Sequence, residues 1–163
     1  MDVQVIIRYV ILRVLILVVT LVVIAFPSPV TAALGDDVAT VQSDQIRMKG
    51  ALQTTQIGTH TVHEIKIPAG TVVREYVSNA GKIFAVTWQG PHVPDLRQLL
   101  GSHFDQFSQA VKDRKAKQPW IRGPLMIQEP GLVVHTGGHM RAYFGKAYIP
   151  ELVPQGVSIE DLK

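Results

Sequence analysis

Between Leu52 and Trp88, apolar and polar residues alternate with a period of two, and few folds accommodate so long an alternation. Apolar side chains at every second position are typical of strands that bury one face. Turn-forming residues divide the segment into strands that we expect to pair as an antiparallel meander: residues 52–57, 62–67, 71–77 and 82–88. Before the last strand, Ser78-Asn79-Ala80-Gly81 predicts a type I turn closed by Gly81 in a left-handed bulge position.

The lengths of these turns determine which residues face each other. They predict Val77 opposite Lys82, and Glu64 opposite Arg74 as a cross-strand pair of opposite charges. Alternation then gathers seven apolar residues on one face of the meander, and we expect it to be the core face: Ile65, Ile67, Val73, Val77, Phe84, Val86 and Trp88.

The clearest helical pattern in the chain follows Asp95. We expect Asp95 to cap the first turn, with Gln98 completing a capping box. The apolar stripe of this helix is wide enough to cover the core face of the sheet: Leu96, Leu99, Leu100, His103, Phe104, Phe107, Ala110 and Val111. The weaker pattern of residues 38–48 fits a short helix that would end at Gly50, and an extended segment fits it nearly as well.

Further strands are predicted after this helix. They span residues 125–128, 132–136 and 139–148, with a two-residue hairpin at Gly137-Gly138 and with Gly145 as a bulge or a close contact. A Pro-rich tail starts at about residue 150. The predicted fold is α+β: an antiparallel β-sheet meander of five or six strands with one principal amphipathic helix packed on one face.

The N-terminal 32 residues have the order of an export signal. Arg8 and Arg13 precede an uncharged run of 13 residues, from Val14 to Phe26, and Val30-Thr31-Ala32 offers small residues to a signal peptidase. We therefore expect a Sec-type signal peptide over residues 1–32, cleaved before Ala33, and a single domain over residues 33–163. The alternative is an uncleaved anchor, but spanning a bilayer needs about 20 apolar residues.

The composition of the mature part excludes several classes of function. Without Arg8, Arg13 and Asp2, the 16 basic and 13 acidic side chains become 14 and 12, a net charge of +2. So small a charge does not indicate a nucleic-acid partner. The chain contains no cysteine, which excludes disulfides, thiol nucleophiles and cysteine metal sites.

The only predicted catalytic candidates are His63 and Glu75. In the predicted register they face each other on the apolar side of the sheet, near the end of the meander. A carboxyl group beside an imidazole in a partly dry setting could act as an acid–base couple. The alternative is that the two side chains have a structural role and satisfy each other's hydrogen-bonding groups at the edge of the sheet.

The remaining histidines do not predict a metal site. A hairpin at Gly137-Gly138 would place His135 and His139 on opposite faces of the sheet. His60 and His63 are an odd number of residues apart, which separates them in the same way. Neither spacing is that of a standard zinc site, so we expect neither a metal nor a cofactor.

Several short segments together resemble domain-of-unknown-function family 2844, small exported proteins of Gram-negative proteobacteria. They are residues 61–65 (TVHEI), 70–77 (GTVVREYV), 84–91 (FAVTWQGP), 94–96 (PDL), 99–101 (LLG) and 138–142 (GHMRA). The resemblance covers about residues 33–155. It implies a bacterial source, export and a single domain, and it implies no activity, cofactor or site residue.

The functional expectation follows from export and from the missing catalytic motifs. We expect a non-enzymatic periplasmic or secreted protein that binds a small ligand or an envelope protein, without a stable membrane anchor after processing, as a monomer or weak oligomer. One alternative is a small cofactor-independent hydrolase or isomerase that uses His63 and Glu75. Another is a structural subunit of an envelope assembly that pairs through its sheet edges.

Overall fold

The computed structural model describes Arg8, Arg13 and residues 34–120 and 123–163. The chain divides into two compact units, Met1–Val30 and Thr31–Lys163. Apart from the two helical arginines, the predicted signal peptide and its cleavage site before Ala33 lie outside the described residues. Within the described ranges, no helix is both long and apolar enough to cross a bilayer.

The described part of the second unit contains a seven-stranded antiparallel sheet. Its strands are β1 (Ala51–Ile57), β2 (His60–Lys66), β3 (Val72–Ser78), β4 (Ile83–Gly90), β5 (Leu125–Glu129), β6 (Leu132–His139) and β7 (Ala142–Tyr148). Their order across the sheet is β1-β2-β3-β4-β7-β6-β5. Two meanders, β1–β4 and β5–β7, are therefore joined side by side through β4 and β7, and β1 and β5 form the edges.

Three α-helical segments cover one face of this sheet. They are α1 (Val41–Met48), α2 (Leu96–Leu100) and α3 (Phe104–Lys117), with a 3₁₀ turn at Gly101–His103 between the last two. Leu99, Leu100 and Phe107 pack against apolar strand residues in one buried cluster. We call this side of the sheet the helix face, and burial of its apolar surface is the main force that stabilises the layered fold.

The opposite side, the outer face, is covered in part by the C-terminal tail. The tail contains two 3₁₀ turns, Pro150–Leu152 and Ile159–Asp161. A second, smaller core forms beneath it from buried residues of the sheet and of the tail: Val62, Tyr76, Phe84, Ala85 and Leu162. The Pro-rich tail predicted from about residue 150 thus packs on the sheet.

The predicted register of β2 and β3 is confirmed over the whole pair. Glu64 lies opposite Arg74 and His63 opposite Glu75. The Arg74 guanidinium donates from Nε to Glu64 Oε2 at 2.7 Å. The prediction succeeds here because a short loop leaves little freedom in the pairing, and because a slip by one residue would invert both faces of the strands.

The predicted register of β3 and β4 is wrong. A β-bulge after Tyr76 makes Phe84 an extra residue, so that Val77 pairs with Ile83 and not with Lys82. Phe84 consequently lies on the outer face, where its ring centroid is 6.2 Å from that of Tyr76, and Ile83 is buried on the helix face in its place. A bulge of this kind exchanges two neighbouring apolar side chains between the faces.

The predicted hairpin at Gly137-Gly138 is also wrong. Both glycines lie inside β6, and the chain turns at Met140 and Arg141, where Arg141 has a left-handed φ of +65°. A Cβ atom at Gly138 would overlap the carbonyl oxygen of Ala142 on β7. Glycine is therefore required in this strand by the close approach of the neighbouring backbone rather than by a turn.

The α+β class is confirmed, whereas the number of elements differs from the prediction. The described chain has seven strands instead of five or six. The weaker pattern at residues 38–48 forms the helix α1, and the principal helix is divided into α2 and α3. Asp95 caps α2 as predicted, accepting hydrogen bonds from the backbone N–H groups of Arg97 and Gln98. The Gln98 side chain, however, donates to Asp44 and not back to the cap.

Candidate functional site

Two acidic side chains lie together between the sheet and the helices. Glu75 on β3 is 1% exposed and Asp44 on α1 is 0% exposed. Asp44 lies three residues after Val41 and four before Met48, on the stripe of α1 that faces the sheet. Its carboxylate is the hydrogen-bond partner of Glu75 and accepts a hydrogen bond from Gln98 Nε2 at 2.6 Å.

Burial determines the protonation of this acid pair. Burial, together with the hydrogen bond to Asp44 and its negative charge, raises the pKa of Glu75 to about 9. Burial also raises the pKa of Asp44, opposed by the hydrogen bonds from Gln98 and Glu75. Glu75 is therefore a neutral acid at pH 7 and donates its proton to Asp44. Asp44 Oδ2 and Glu75 Oε2 are both buried and have no other partner among the described residues, and a proton shared by the two carboxyl groups would satisfy them.

The predicted pair of His63 and Glu75 is adjacent in the sheet without being hydrogen-bonded. The His63 ring interacts with Thr54 instead, with 3.0 Å between Nδ1 and Thr54 Oγ1. Its Nε2 is buried and has no partner within the described ranges. Burial lowers the pKa of His63, so the ring is neutral at pH 7. Because Glu75 is hydrogen-bonded to Asp44, His63 and Glu75 do not share a proton in this arrangement.

The other histidines are distributed over both faces of the sheet. His60 and His63 lie on opposite faces of β2, as predicted, and the His60 ring centroid is 6.0 Å from that of Tyr76. His135 and His139 were expected on opposite faces, but both belong to β6 and are four residues apart, so alternation places them on the same side. The described residues contain no group of three or more His, Asp or Glu side chains placed to hold a metal ion.

A groove of about 650 Å³ opens on the outer face, between β1–β3 and the tail. We call it the outer groove. It is lined by Gln53, Thr55, Ile57, Gly58, Thr59, His60, Val62, Glu64, Arg74, Tyr76, Gly156, Val157, Ser158, Asp161, Leu162 and Lys163. Its volume falls within the usual range for small-molecule sites, about 300–1,000 Å³.

Three donors of the sheet hold the tail in place beside this groove. Arg74 Nη1, Tyr76 Oη and Thr87 Oγ1 donate to the backbone carbonyl oxygen of Lys163 at 3.0, 2.8 and 2.6 Å. The neighbouring Leu162 side chain is buried in the outer core. One wall of the outer groove is thus formed by the tail. The strand residues that anchor the tail lie 76 to 89 positions earlier in the sequence than Lys163.

The lining of the outer groove combines apolar walls with neutral polar groups and with two acidic and two basic residues: Glu64, Asp161, Arg74 and Lys163. Ile57 is 52% exposed at one end, and Val62 and Val157 contribute further apolar surface. The His60 ring packs edge-on against Phe84, with centroids 5.8 Å apart, and its Nδ1 has no partner in the described part of the chain. Because burial lowers the pKa of His60, this ring is uncharged at pH 7, and its Nδ1 is buried within the wall of the groove.

A comparison with protein families identifies the chain. A family model described as "Protein of unknown function (DUF2844)" matches residues 30–162. The chain belongs to this family. The match confirms the resemblance carried by the short segments of the sheet and of the helix start, and it includes every described strand and the tail. No curated protein and no solved structure matches the chain.

For this DUF2844 protein, sequence reasoning missed both Asp44 and the outer groove. Asp44 could have been found, because it is an acidic residue on the apolar stripe of a predicted helix, where a charge is costly unless it is paired. The outer groove could not have been found from the sequence, because one of its walls depends on where the tail packs on the sheet. The family description names no activity, so a functional proposal must rest on the geometry.

Proposed function

We propose that this protein is an exported, non-enzymatic binding protein whose ligand occupies the outer groove. The observation that supports this is the groove itself: a concave surface of about 650 Å³ that combines apolar walls with a small number of polar groups. This combination is typical of sites that bind a small molecule or a short peptide segment, because apolar burial provides affinity and the polar groups fix orientation.

The lining favours an amphipathic, overall neutral ligand. Glu64 and Arg74 compensate each other's charge within the groove, at a distance of 2.7 Å between Oε2 and Nε. Asp161 and Lys163 add one more charge of each sign, so the charged side chains of the lining balance. The hydroxyl of Thr55 is a neutral hydrogen-bonding group beside the apolar side chain of Ile57.

The enzymatic alternative, a hydrolase or isomerase that uses His63 and Glu75, has weaker support. A general acid or base must come within hydrogen-bond reach of its substrate. Glu75 is 1% exposed, is bonded to Asp44, and lies on the side of the sheet opposite the outer groove. We therefore propose that the acid pair has a structural role and that binding occurs on the other face.

A substitution that fills the groove tests this proposal. Ser158 is exposed and lines the groove from the tail side, without a hydrogen bond from its side chain. Ser102 is an exposed serine in the turn between α2 and α3, far from the groove in the fold, and serves as the matched control. Protein is produced from the full-length reading frame in a Gram-negative host, and bound molecules are identified by native mass spectrometry of a periplasmic extract.

We expect one class of small molecule or peptide to be retained by the wild type and by S102W, and to be lost from S158W. Melting temperatures of both variants should stay close to that of the wild type, because each new side chain is added at an exposed position. Equal retention by S158W, or no retained molecule with the wild type, would contradict binding in the outer groove.

Export is proposed from the leader and is tested separately. N-terminal sequencing of the protein from the same host should give Ala33 as the first residue, in the periplasmic or extracellular fraction. Protein that begins at Met1 and remains in the membrane fraction would instead support the uncleaved anchor.

A further inference from the structure

The edge strand β1 carries none of the features that normally protect a sheet edge. Among the described residues it pairs only with β2, and six of its seven residues are exposed. Its sequence, ALQTTQI, contains no charged residue, no proline and no glycine. An exposed edge of this length has unpaired N–H and C=O groups that another strand can use, and natural proteins commonly block such edges with charges, prolines or bulges.

The opposite edge strand, β5, is protected in several ways. Arg114 of α3 donates from Nη1 to the carbonyl oxygen of Met126 at 2.8 Å, which occupies an edge acceptor. Gln106 donates to the carbonyl oxygen of Pro130 at 3.0 Å, just beyond the strand. Pro124 and Pro130 flank the strand at both ends. Among the described residues, β5 therefore has blocking contacts that β1 lacks.

We propose that β1 pairs antiparallel with β1 of a second copy of this chain, so that the two sheets continue into each other across a two-fold axis. The axis stands perpendicular to the sheet and passes midway between Thr54 and Thr54 of the second copy. This register uses all seven residues of both strands, with Ala51 opposite Ile57 of the second copy. Such an interface is self-complementary and closed, which is the commonest symmetry of soluble oligomers.

The side chains of β1 fit this pairing. At the centre, Thr54 meets Thr54 of the second copy, and cross-strand threonine pairs are favourable. On the outer face, Gln53 lies opposite Thr55 of the second copy, two neutral groups that can hydrogen-bond. On the helix face, the partly buried Leu52 extends toward Gln56 of the second copy. No position places like charges opposite each other.

A second copy suits this edge better than a charged peptide would. The strand offers no charge with which an acidic or basic segment could pair, whereas its own sequence is neutral throughout. A two-fold axis perpendicular to the sheet also keeps both outer faces on the same side. The outer grooves of the two copies, each lined by Gln53, Thr55 and Ile57, would then open side by side at the seam.

Charge substitutions at the outer-facing positions of β1 test the interface. Gln53 and Thr55 have exposed side chains that form no hydrogen bond within the described structure, so their replacement should leave the monomer folded. The variants are Q53K/T55K and Q53E/T55E. The matched control is M126K/Q128K, which places two lysines on exposed positions of β5. Mass is measured by light scattering and analytical ultracentrifugation over a dilution series, with protein from the full-length reading frame.

We expect the wild type and the β5 control to have the mass of a dimer at about 100 µM and to dissociate on dilution, since paired edge strands alone give modest affinity. Each β1 variant alone should associate at least about tenfold more weakly, because like charges then lie opposite each other. An equimolar mixture of the lysine and glutamate variants should restore the dimer.

Three results would overturn the proposal. The first is a wild type that stays monomeric throughout the dilution series. The second is a lysine variant that dimerises as strongly as the wild type, which would place the interface elsewhere. The third is a mixture of the two charged variants that remains monomeric although both are folded by circular dichroism, which would exclude direct pairing of the two strands.

Discussion

Replacement of Glu75 by glutamine should make the protein more stable and remove most of the dependence of its stability on alkaline pH. The pKa of Glu75 is raised from 4.5 to about 9 in the folded protein. At a pH between these two values, Glu75 holds a proton in the folded state and has released it in the unfolded state. The free energy of unfolding therefore falls as pH rises through this window, at up to about 1.4 kcal/mol per pH unit. Asp44, whose pKa is also raised, adds a loss of the same sign.

The range from pH 7 to 8.5 isolates this effect. The pKa values of His60 and His63 are lowered from 6.5, so these two rings stabilise the fold as pH rises toward 6.5 and contribute little above it. From pH 7 to 8.5 the wild type should lose about 2 kcal/mol of unfolding free energy through Glu75. In E75Q the amide is neutral at every pH and can still donate a hydrogen bond to Asp44. This variant should be about 3 kcal/mol more stable than the wild type at pH 7.

Urea unfolding at constant ionic strength, followed by the fluorescence of the buried Trp88, measures these changes. The variant D44N serves as a comparator, because it removes the neighbouring carboxylate while leaving Glu75 buried, and it should retain part of the pH dependence. A wild-type unfolding free energy that is flat from pH 7 to 8.5, or an E75Q variant no more stable than the wild type at pH 8, would refute the protonated state of Glu75.

Two further substitutions test the packing around this pair and around the sheet. Q98L removes the donor to Asp44 Oδ1 and should destabilise the protein by about 1–3 kcal/mol, measured by the same urea titration, since it leaves a buried acceptor unsatisfied. G145A should cost about 1–3 kcal/mol or more, because a Cβ atom there would overlap Cζ2 of Trp88. An unchanged unfolding midpoint in either variant would contradict the corresponding contact.

The parts of the fold that could be predicted depend on local sequence. The register of β2 and β3 follows from a short loop and a clear alternation, and the start of α2 follows from Asp95 as a capping residue. Local signals were misleading where two of them conflicted. Gly137-Gly138 has the composition of a hairpin turn, yet the close approach of β7 requires glycine inside the strand.

The bulge in β4 could not be predicted for a different reason. Ile83 and Phe84 are both large and apolar, so alternation gives no preference for which of them faces the helices. Each of the two residues packs into a different core: Ile83 into the one under the helices and Phe84 into the one under the tail. The candidate site has the same origin, since the outer groove exists only because Arg74, Tyr76 and Thr87 bind the backbone of Lys163.

The two faces of the sheet therefore have different physical roles. On the helix face, a protonated Glu75 is enclosed with Asp44 at a cost in stability that grows with pH, and it is shielded from solvent. The chain contains no cysteine, so no disulfide offsets that cost. On the outer face, the groove and the β1 edge are both exposed, and both involve Gln53 and Thr55. A ligand in the groove would thus contact the same strand that we propose to pair in a dimer, so ligand binding and self-association would be thermodynamically coupled in both directions.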